Sequence, residues 1–218
     1  MDNKKQEDSM NNQKQNKQPD ERSVVLLQGH IKIVDPESEE VYVDKRNAIH
    51  YENMSEALAL NVSNKNSQFI SEMHFGNGGT TVDPTGVITY LPTNTNVQNA
   101  DLYSPQYYKI VDNTNSANAD PTRNKIEVIH TPGFIYTDIV ISCLLDYGEP
   151  SGQAVFDNSQ TLNGDFVFDE LGLKGFTTSG AGLGKLLTHV IFSPVQKSLN
   201  RLIQIDYTVR IQTLTNLT

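Results

Sequence analysis

The sequence has no tryptophan and almost no cysteine. Among its 218 residues, Cys143 is the single cysteine. One cysteine excludes an internal disulfide, a paired-cysteine zinc site and an iron–sulfur cluster. Because Cys143 lies within an apolar run, we predict a buried, unreactive thiol and a chain that matures in a reducing cytosol.

Charge and long apolar runs are also scarce. Charged residues make up 20% of the chain, the net charge is −9, and Lys and Arg form no run. A protein with this negative net charge repels the phosphate backbone of nucleic acids, so we expect no nucleic-acid partner, sequence-specific or otherwise. We expect no signal peptide, membrane span or membrane partner, because no stretch of about 18 residues is apolar throughout.

Residues 1–23 are almost free of apolar side chains. Apart from Met1 and Met10, the segment has no aliphatic or aromatic residue. Such a segment buries too little surface to offset its conformational entropy, so we predict a disordered N-terminal arm. The arm is either a solubilising tail or a segment that orders on a neighbouring subunit. The rest of the chain, 24–218, is predicted to be one β-rich domain.

Short apolar runs separated by turn signals dominate this domain. Residues 202–214 alternate apolar and polar side chains, which is typical of a strand with one buried face, and 134–145 is apolar on both faces, like a central strand. The pattern predicts a mainly β fold, either a β-sandwich or a jelly-roll-like barrel, with one short helix. The other predicted strands are 24–34, 41–43, 69–75, 87–91, 107–111, 125–130, 165–169 and 187–193.

The single helix is expected in "ENMSEALALNVSN". Asn53 is predicted to cap its first turn, with Glu56 at the third helical position as in a capping box. A short turn or helix is also expected at 194–201, after Pro194.

The glycines of "HFGNGGT" (74–80) raise the possibility of a phosphate-binding loop. Their spacing does not match a dinucleotide fingerprint, and a turn and strand follow where a helix is required. Asn77–Gly78 instead indicates a hairpin-type turn, because both residues tolerate positive φ. "DPTG" and "TPG" predict type I and type II turns. The predicted turn-forming residues are Asn77, Gly78, Gly79, Pro84, Gly86, Pro132 and Gly133.

No motif for catalysis or for metal binding is complete. "SGAGLGKLL" (179–187) resembles a phosphate loop but has Ser and Leu where Gly and Ser or Thr are needed, so we predict a hairpin tip with a solvated Lys185. The paired carboxylates Asp169 and Glu170 have no accompanying aromatic platform. We predict no catalytic, cofactor or metal residue and interpret each histidine as structural: His30, His50, His74, His130 and His189.

Residues 92–124 are rich in Asn, Asp and Thr, and they predict a long surface excursion. Tyr103, Tyr107 and Tyr108 could offer stacking faces to a glycan, or could anchor this excursion to its own body.

Several phrases resemble virion structural proteins of tailed bacteriophages, and together they span nearly everything after the arm. They are "VDKRNAIHYENMSEALA" (43–59), "FGNGGTTVDPTGVITYLP" (75–92), "DYGEPSGQAVFD" (146–157), "FDELGL" (168–173) and "LLTHVIFSPVQKSLNRLIQIDYTVRI" (186–211).

The resemblance implies a non-enzymatic component of a virus particle that is assembled in the host cytoplasm. Its expected position in the particle is the neck or collar, the tail, or the capsid surface. We expect its partners to be other virion proteins and its own copies, in a homo-oligomeric ring or lattice. A glycan-binding module, and a hydrolase formed by converging histidines or acids, remain alternatives. The arm and the last strand are the predicted intersubunit contacts, the latter through Ile203, Ile205, Tyr207, Val209 and Ile211.

Overall fold

The structure is a computed structural model that describes residues 22–65, 68–150 and 166–216. The predicted arm lies outside the described residues except for its last two positions. The described chain contains one helix, α1 (Tyr51–Val62), and eleven strands. The strands are β1 (Arg22–Val34), β2 (Val41–Ile49), β3 (Ile70–Gly76), β4 (Thr80–Val82), β5 (Ile88–Tyr90), β6 (Pro105–Ile110), β7 (Lys125–Ile129), β8 (Tyr136–Leu145), β9 (Phe166–Gly175), β10 (Leu186–Lys197) and β11 (Ile203–Asn216).

Nine strands form one antiparallel sheet in the order β6-β3-β9-β10-β2-β1-β11-β8-β7. The sheet curls into a half-barrel, and β4 and β5 form a separate two-stranded hairpin. The prediction of a mainly β, barrel-like fold with one helix is therefore confirmed. The strands β2, β9 and β10 continue past their predicted ends, and β4 had no counterpart among the predicted strands.

The longest pairing in the sheet is β1–β11, which stays in register from Arg22↔Asn216 to Val34↔Gln204. The alternation predicted for the last strand is present, since Ile203, Ile205 and Tyr207 have no exposed surface and Val209 is buried.

For Ile203, Ile205, Tyr207 and Val209 these positions correct the prediction of a contact with another subunit, whereas Ile211 is only partly buried. Ile203, Ile205, Tyr207 and Val209 point into the core of their own chain, and Ile211 lines a groove beside it. Both edges of β11 are hydrogen-bonded, one to β1 and the other to β8. A strand that is paired on both sides cannot add a strand from a neighbour.

The helix begins earlier than predicted. His50, not Asn53, is the N-cap: its Nδ1 accepts the backbone N–H of Asn53 at 3.2 Å. Asn53 lies inside the helix, and its Nδ2 donates to the carbonyl of Leu186 at 2.8 Å. Of the turn or helix expected at 194–201, the structure has the turn: β10 continues through Pro194 to Lys197, and Arg201 N–H then donates to the Ser198 carbonyl at 3.2 Å. Pro194 lies at a register irregularity of β10, where its missing N–H interrupts no ladder bond.

Candidate functional site

The outer face of the sheet, opposite the core, is polar where β3, β9 and β10 meet. On β9, Leu171 and Leu173 face the core while Glu170 and Lys174 face outward, because side chains alternate along a strand. The outward side chains are nevertheless buried, since the segment 91–104 lies across them. We call this set the polar cluster: Glu72, His74, Asp169, Glu170, Lys174 and His189, all buried.

Glu170 and His189 are at the centre of the polar cluster, with no exposed surface. Glu170 Oε1 accepts the backbone N–H groups of Gly78 (3.1 Å) and Ser104 (2.7 Å). Its Oε2 accepts the N–H of Tyr103 (2.9 Å) and faces His189 Nε2 (3.1 Å). His189 Nδ1 accepts the N–H of Asn94 at 2.8 Å, which places the imidazole proton on Nε2, where it donates to Glu170.

These contacts decide the ionisation of Glu170. Burial raises the pKa of this carboxyl, but the hydrogen bonds from His189 and from the backbone of Ser104, Tyr103 and Gly78 outweigh burial and hold the pKa below its usual 4.5. Glu170 is therefore a buried carboxylate whose charge is stabilised by the His189 side chain and by three main-chain donors.

The "HFGNGGT" segment does bind anionic groups through its backbone, but the anions are the chain's own carboxylates. Gly79 N–H donates to Asp169 Oδ1 at 2.9 Å and Thr80 N–H to Asp169 Oδ2 at 2.8 Å. Together with the bond from Gly78 to Glu170, these contacts hold the connection between β3 and β4 against β9.

The reason predicted for these glycines is therefore wrong. Neither Asn77 nor Gly78 has positive φ, and the strand after them pairs with β5 and not with β3. The glycines are needed for close approach: a Cβ on Gly76 would lie 2.4 Å from Glu170 Oε1, and one on Gly78 would lie 2.8 Å from the backbone of Ser104.

The two other predicted turns are present. At "DPTG", which contains Pro84, Gly86 N–H donates to the Asp83 carbonyl and Gly86 has φ +86°. At "TPG", which contains Pro132, Gly133 has φ +91°. A side chain is strained at such angles, which explains glycine at both positions.

The rest of the polar cluster is paired internally as well. His74 Nε2 donates to Glu72 Oε2 at 2.8 Å, and Lys174 Nζ donates to Asp101 Oδ2 at 2.8 Å. Gly182 N–H, in the second glycine segment, donates to Glu72. Burial lowers the pKa of His74, an effect that its bond to Glu72 only partly offsets, so this imidazole is neutral near pH 7.

The polar cluster is arranged to bind loops. Within the described residues, no three His, Cys, Asp or Glu side chains are grouped to hold a metal ion. Every oxygen of Glu170 and both nitrogens of His189 already have partners from the chain itself. A general base or nucleophile needs a free lone pair in reach of substrate, and these two side chains offer none.

The three tyrosines proposed for glycan stacking do not form one platform. Tyr103 lies over His189 and donates its hydroxyl to the Pro92 carbonyl at 2.7 Å, so it anchors the loop to its own body. Tyr107 and Tyr108 are neighbours on β6 and so point to opposite faces: Tyr107 packs on Phe75 of the core, and Tyr108 stacks on His74. Burial raises the pKa of Tyr107.

Two predictions about single side chains and one about a segment can be compared with the structure. Cys143 is fully buried, and burial raises the pKa of its thiol to about 12. Lys185, expected to be solvated, pairs with Glu56 of α1. The predicted excursion at 92–124 contains β6, a regular edge strand of the main sheet.

Comparison with protein families, with curated proteins and with solved structures finds no match to this chain. Among the described residues, no helix has the length and apolar character required to cross a membrane.

Proposed function

We propose that the protein is a non-enzymatic structural component of a tailed-phage virion that self-assembles at the head–tail neck or collar, or in the adjoining tail. The resemblance of the sequence to virion structural proteins of tailed bacteriophages suggests that the protein belongs to such a particle. The polar cluster supports a structural role, because its charged groups are consumed in holding loops on the sheet.

The observation that carries the proposal is an apolar patch at one corner of the sheet. Among the described strands, β7 is an open edge of the sheet, and Val128 on it is 70% exposed. Exposed apolar edge strands favour pairing with another chain, and monomeric proteins normally protect them. We call this surface the corner patch; its exposed residues are Val24, Val25, Val128, Ile129, Phe134 and Ile135.

The exposed residues of the corner patch lie at one end of the sheet, where Val24 and Val25, like Val128 and Ile129, point to opposite faces. Val25 of β1 is the register partner of Thr213 in β11, and Thr213 N–H donates to the Ile135 carbonyl at 3.0 Å. Apolar side chains from β1, β7 and the β7–β8 turn therefore lie at one end of the molecule. Burial of such a patch between subunits would stabilise assembly by the hydrophobic effect, supplemented by strand pairing at β7.

Two measurements test this function. Mass spectrometry of purified particles should detect the protein in many copies per virion, and sedimentation should show concentration-dependent oligomers of the isolated chain. Val128→Lys should weaken assembly by tenfold or more, because a charged edge residue opposes pairing. Val97→Lys, at a 61% exposed position outside the patch, is the matched control. A chain that is absent from particles and monomeric at high concentration would contradict the proposal.

A groove between β6 and the following loop favours glycan binding as a second candidate function. Its volume is about 630 Å³, and its lining includes Tyr108, Gln106, Asn118 and Arg123. An aromatic ring beside amide and guanidinium donors suits a sugar. A glycan array decides this alternative: binding that is lost in Tyr108→Ala supports it, and an empty array contradicts it.

A further inference from the structure

The segment that lies across the polar cluster has no regular secondary structure in its middle part. We call this part, residues 93–100, the cover; it lies between β5 and β6 and contains neither helix nor strand. The chain on either side is bonded to the rest of the molecule: Leu91 N–H donates to the Gly79 carbonyl at 2.9 Å, and Glu170 accepts the N–H of Tyr103 at 2.9 Å. The contacts of the cover itself therefore determine whether the polar cluster stays covered.

Two buried histidines supply most of the bonds to the cover. Within the described residues, three hydrogen bonds join it to the sheet and to the helix with its cap. His189 Nδ1 on β10 accepts the N–H of Asn94 at 2.8 Å, and His50 Nε2 donates to the Val97 carbonyl at 2.8 Å. The third bond comes from the first turn of α1, which His50 caps. The cover is thus held directly or indirectly by two imidazoles.

Both imidazoles are bonded in a way that only the neutral ring allows. Neither histidine has exposed surface. In each ring Nδ1 accepts a backbone N–H, that of Asn94 for His189 and that of Asn53, at 3.2 Å, for His50. In each ring Nε2 carries the proton and donates it to an oxygen. A second proton can be added only at Nδ1, where it would face an N–H group that has no lone pair to accept it.

One charged group is bonded to His189, and its bond survives protonation of the ring. Glu170 Oε2 lies 3.1 Å from Nε2, and Nε2 carries a hydrogen in both the neutral and the charged imidazole. The loss on protonation is therefore confined to the Asn94 side of the ring. The other titratable residues on the elements around His189 are Tyr103, Asp101, Lys174 and Arg46.

The surroundings of His50 lead to the same result. The titratable residues on the elements around it are Tyr51, Glu52, Glu56 and Lys185, of which the last two pair with each other. Among the described residues, none of these side chains and none of the four listed for His189 is hydrogen-bonded to either imidazole. No neighbouring acceptor replaces the bond that a proton on Nδ1 removes.

We propose that the cover is acid-sensitive and opens when His189 and His50 are protonated. The added proton displaces the N–H of Asn94 from one ring and the N–H of Asn53 from the other. The closed cover excludes the second proton of each ring, so its stability is complete while the imidazoles are neutral and is lost as pH falls through their titration. This inference concerns the single chain and does not depend on the proposed self-assembly.

The opening is expected to be local. Glu170 remains ionised in mild acid, because its hydrogen bonds hold its pKa below the usual 4.5, so the N–H groups of Gly78, Tyr103 and Ser104 keep their acceptor. The apolar core lies on the opposite face of the sheet and takes no part in the change. Mild acid should therefore expose the polar cluster to solvent while the nine-stranded sheet stays folded.

Hydrogen exchange in the full chain, followed residue by residue with NMR, tests this device. After correction for the intrinsic pH dependence of exchange, the protection of the Asn94 amide should fall at least tenfold between about pH 7 and about pH 5. The midpoint of this loss should coincide with that of the His189 imidazole, titrated in the same samples through its nitrogen shifts. The amides of β1 and β11 should keep their protection over the same range.

Replacement of each histidine by asparagine gives a second readout. Asparagine places a carbonyl oxygen that does not titrate near the position of Nδ1, and it favours the N-cap position. In His189→Asn the Asn94 amide should stay protected at about pH 5, and in His50→Asn the Asn53 amide should do so. His30→Asn is the matched control: the His30 side chain is 48% exposed and pairs with Asp44, so this variant should respond to pH like the parent.

Three results would overturn the acid-sensitive cover. Equal protection of the Asn94 amide at both pH values would show that the cover stays closed. A loss of protection that extends through the β1–β11 pair would show that acid unfolds the whole domain. A parent-like response in both asparagine variants would show that other groups cause the opening. If His189→Asn fails to fold, His50→Asn and the shared midpoint in the parent decide, and a separate midpoint for His189 contradicts the proposal.

Discussion

Glu170 is a carboxylate with no exposed surface, and yet its pKa lies below the ordinary value. Its charge is stabilised because both oxygens accept two N–H groups each, three of them from the backbone of segments that are distant in sequence. The same bonds hold the segment 91–104 and the "HFGNGGT" turn against β9. This residue therefore links the ionisation of one side chain to the placement of two loops.

Glu170→Gln should destabilise the fold by about 3 kcal/mol, because the amide NH₂ would face donors that only an oxygen can satisfy. Urea unfolding at pH 7 measures the change. Glu127→Gln on the exposed strand β7 is the matched control and should cost less than about 0.5 kcal/mol. Equal effects in the two variants would show that Glu170 is not the anchor described here.

The lowered pKa of Glu170 predicts that the destabilisation caused by Glu170→Gln depends on pH. The folded pKa of Glu170 is lowered, so the stability it contributes is complete above the unfolded value near 4.5 and is lost as pH falls through the folded pKa. The difference in unfolding free energy between parent and Glu170→Gln should therefore narrow below about pH 4.5. A difference that is constant from pH 7 to pH 3 would contradict the assigned charge.

At the scale of elements, α1 is attached to the sheet through its first turn. His50 caps the helix, and its Nε2 donates to the Val97 carbonyl at 2.8 Å. Asn53 Nδ2 donates to the carbonyls of Leu186 (2.8 Å) and Gln98 (3.2 Å). The helix, β10 and the segment 91–104 are therefore fixed to one another at a single point.

Asn53→Ala should lower the free energy of unfolding by about 1–3 kcal/mol, because it leaves the buried Leu186 carbonyl without its partner. Asn61→Ala in the last turn of the same helix is the control. Among the described residues, the Asn61 side chain donates only to the Ala57 carbonyl of its own helix, so its loss should cost a few tenths of a kcal/mol at most. Chemical denaturation of both variants checks the pair; similar losses would contradict the anchoring role of Asn53.

A structural feature can be predicted from the sequence when it is caused by residues that are neighbours along the chain. The alternation in β11 and the positive φ of Gly86 arise from neighbouring residues, and both are visible in the sequence. The N-cap of α1 depends on a residue that is distant in sequence. Asn53 is a residue type that favours an N-cap, but its side-chain amide donates to the carbonyl of Leu186, 133 residues away, and His50 is the N-cap.

The polar cluster shows the limit most clearly. Its parts were visible as adjacent carboxylates in "FDELGL" and as a glycine run, but 90 residues separate Asp169 from Gly79. Only the pairing of β3 with β9 brings them together. An acidic pair inside an apolar strand is the one local signal that could have suggested buried, backbone-bound carboxylates.

At the scale of the whole molecule, the two ends of the described chain meet. Arg22 and Asn216 are register partners at one end of the β1–β11 pair, which is the longest pairing in the sheet and has a strand on each side. The fold is therefore complete only when its last strand joins its first. Contacts between such distant segments make folding slow relative to helical proteins of this size.

This closure predicts that the chain tolerates circular permutation at the right place. The permutant joins residue 218 to residue 1, so no residue is removed. New termini between Thr85 and Gly86 interrupt only the β4–β5 hairpin, which lies outside the nine-stranded sheet. This permutant should keep its cooperative unfolding and lose about 2 kcal/mol or less, since chain opening at exposed loop tips is generally tolerated.

A permutant opened between Ile31 and Lys32 is the control. It cuts β1, which is paired on one side with β2 and on the other with β11, and it divides the strand where Ile31 and Ile33 are fully buried. Circular dichroism and urea titration of both proteins compare them directly. The first should retain a single transition and the second should have lost it, because the cut in β1 divides the longest pairing of the sheet whereas the cut in the hairpin lies outside the nine-stranded sheet. Loss of folding in the first permutant would mean that the hairpin is part of the stabilising core.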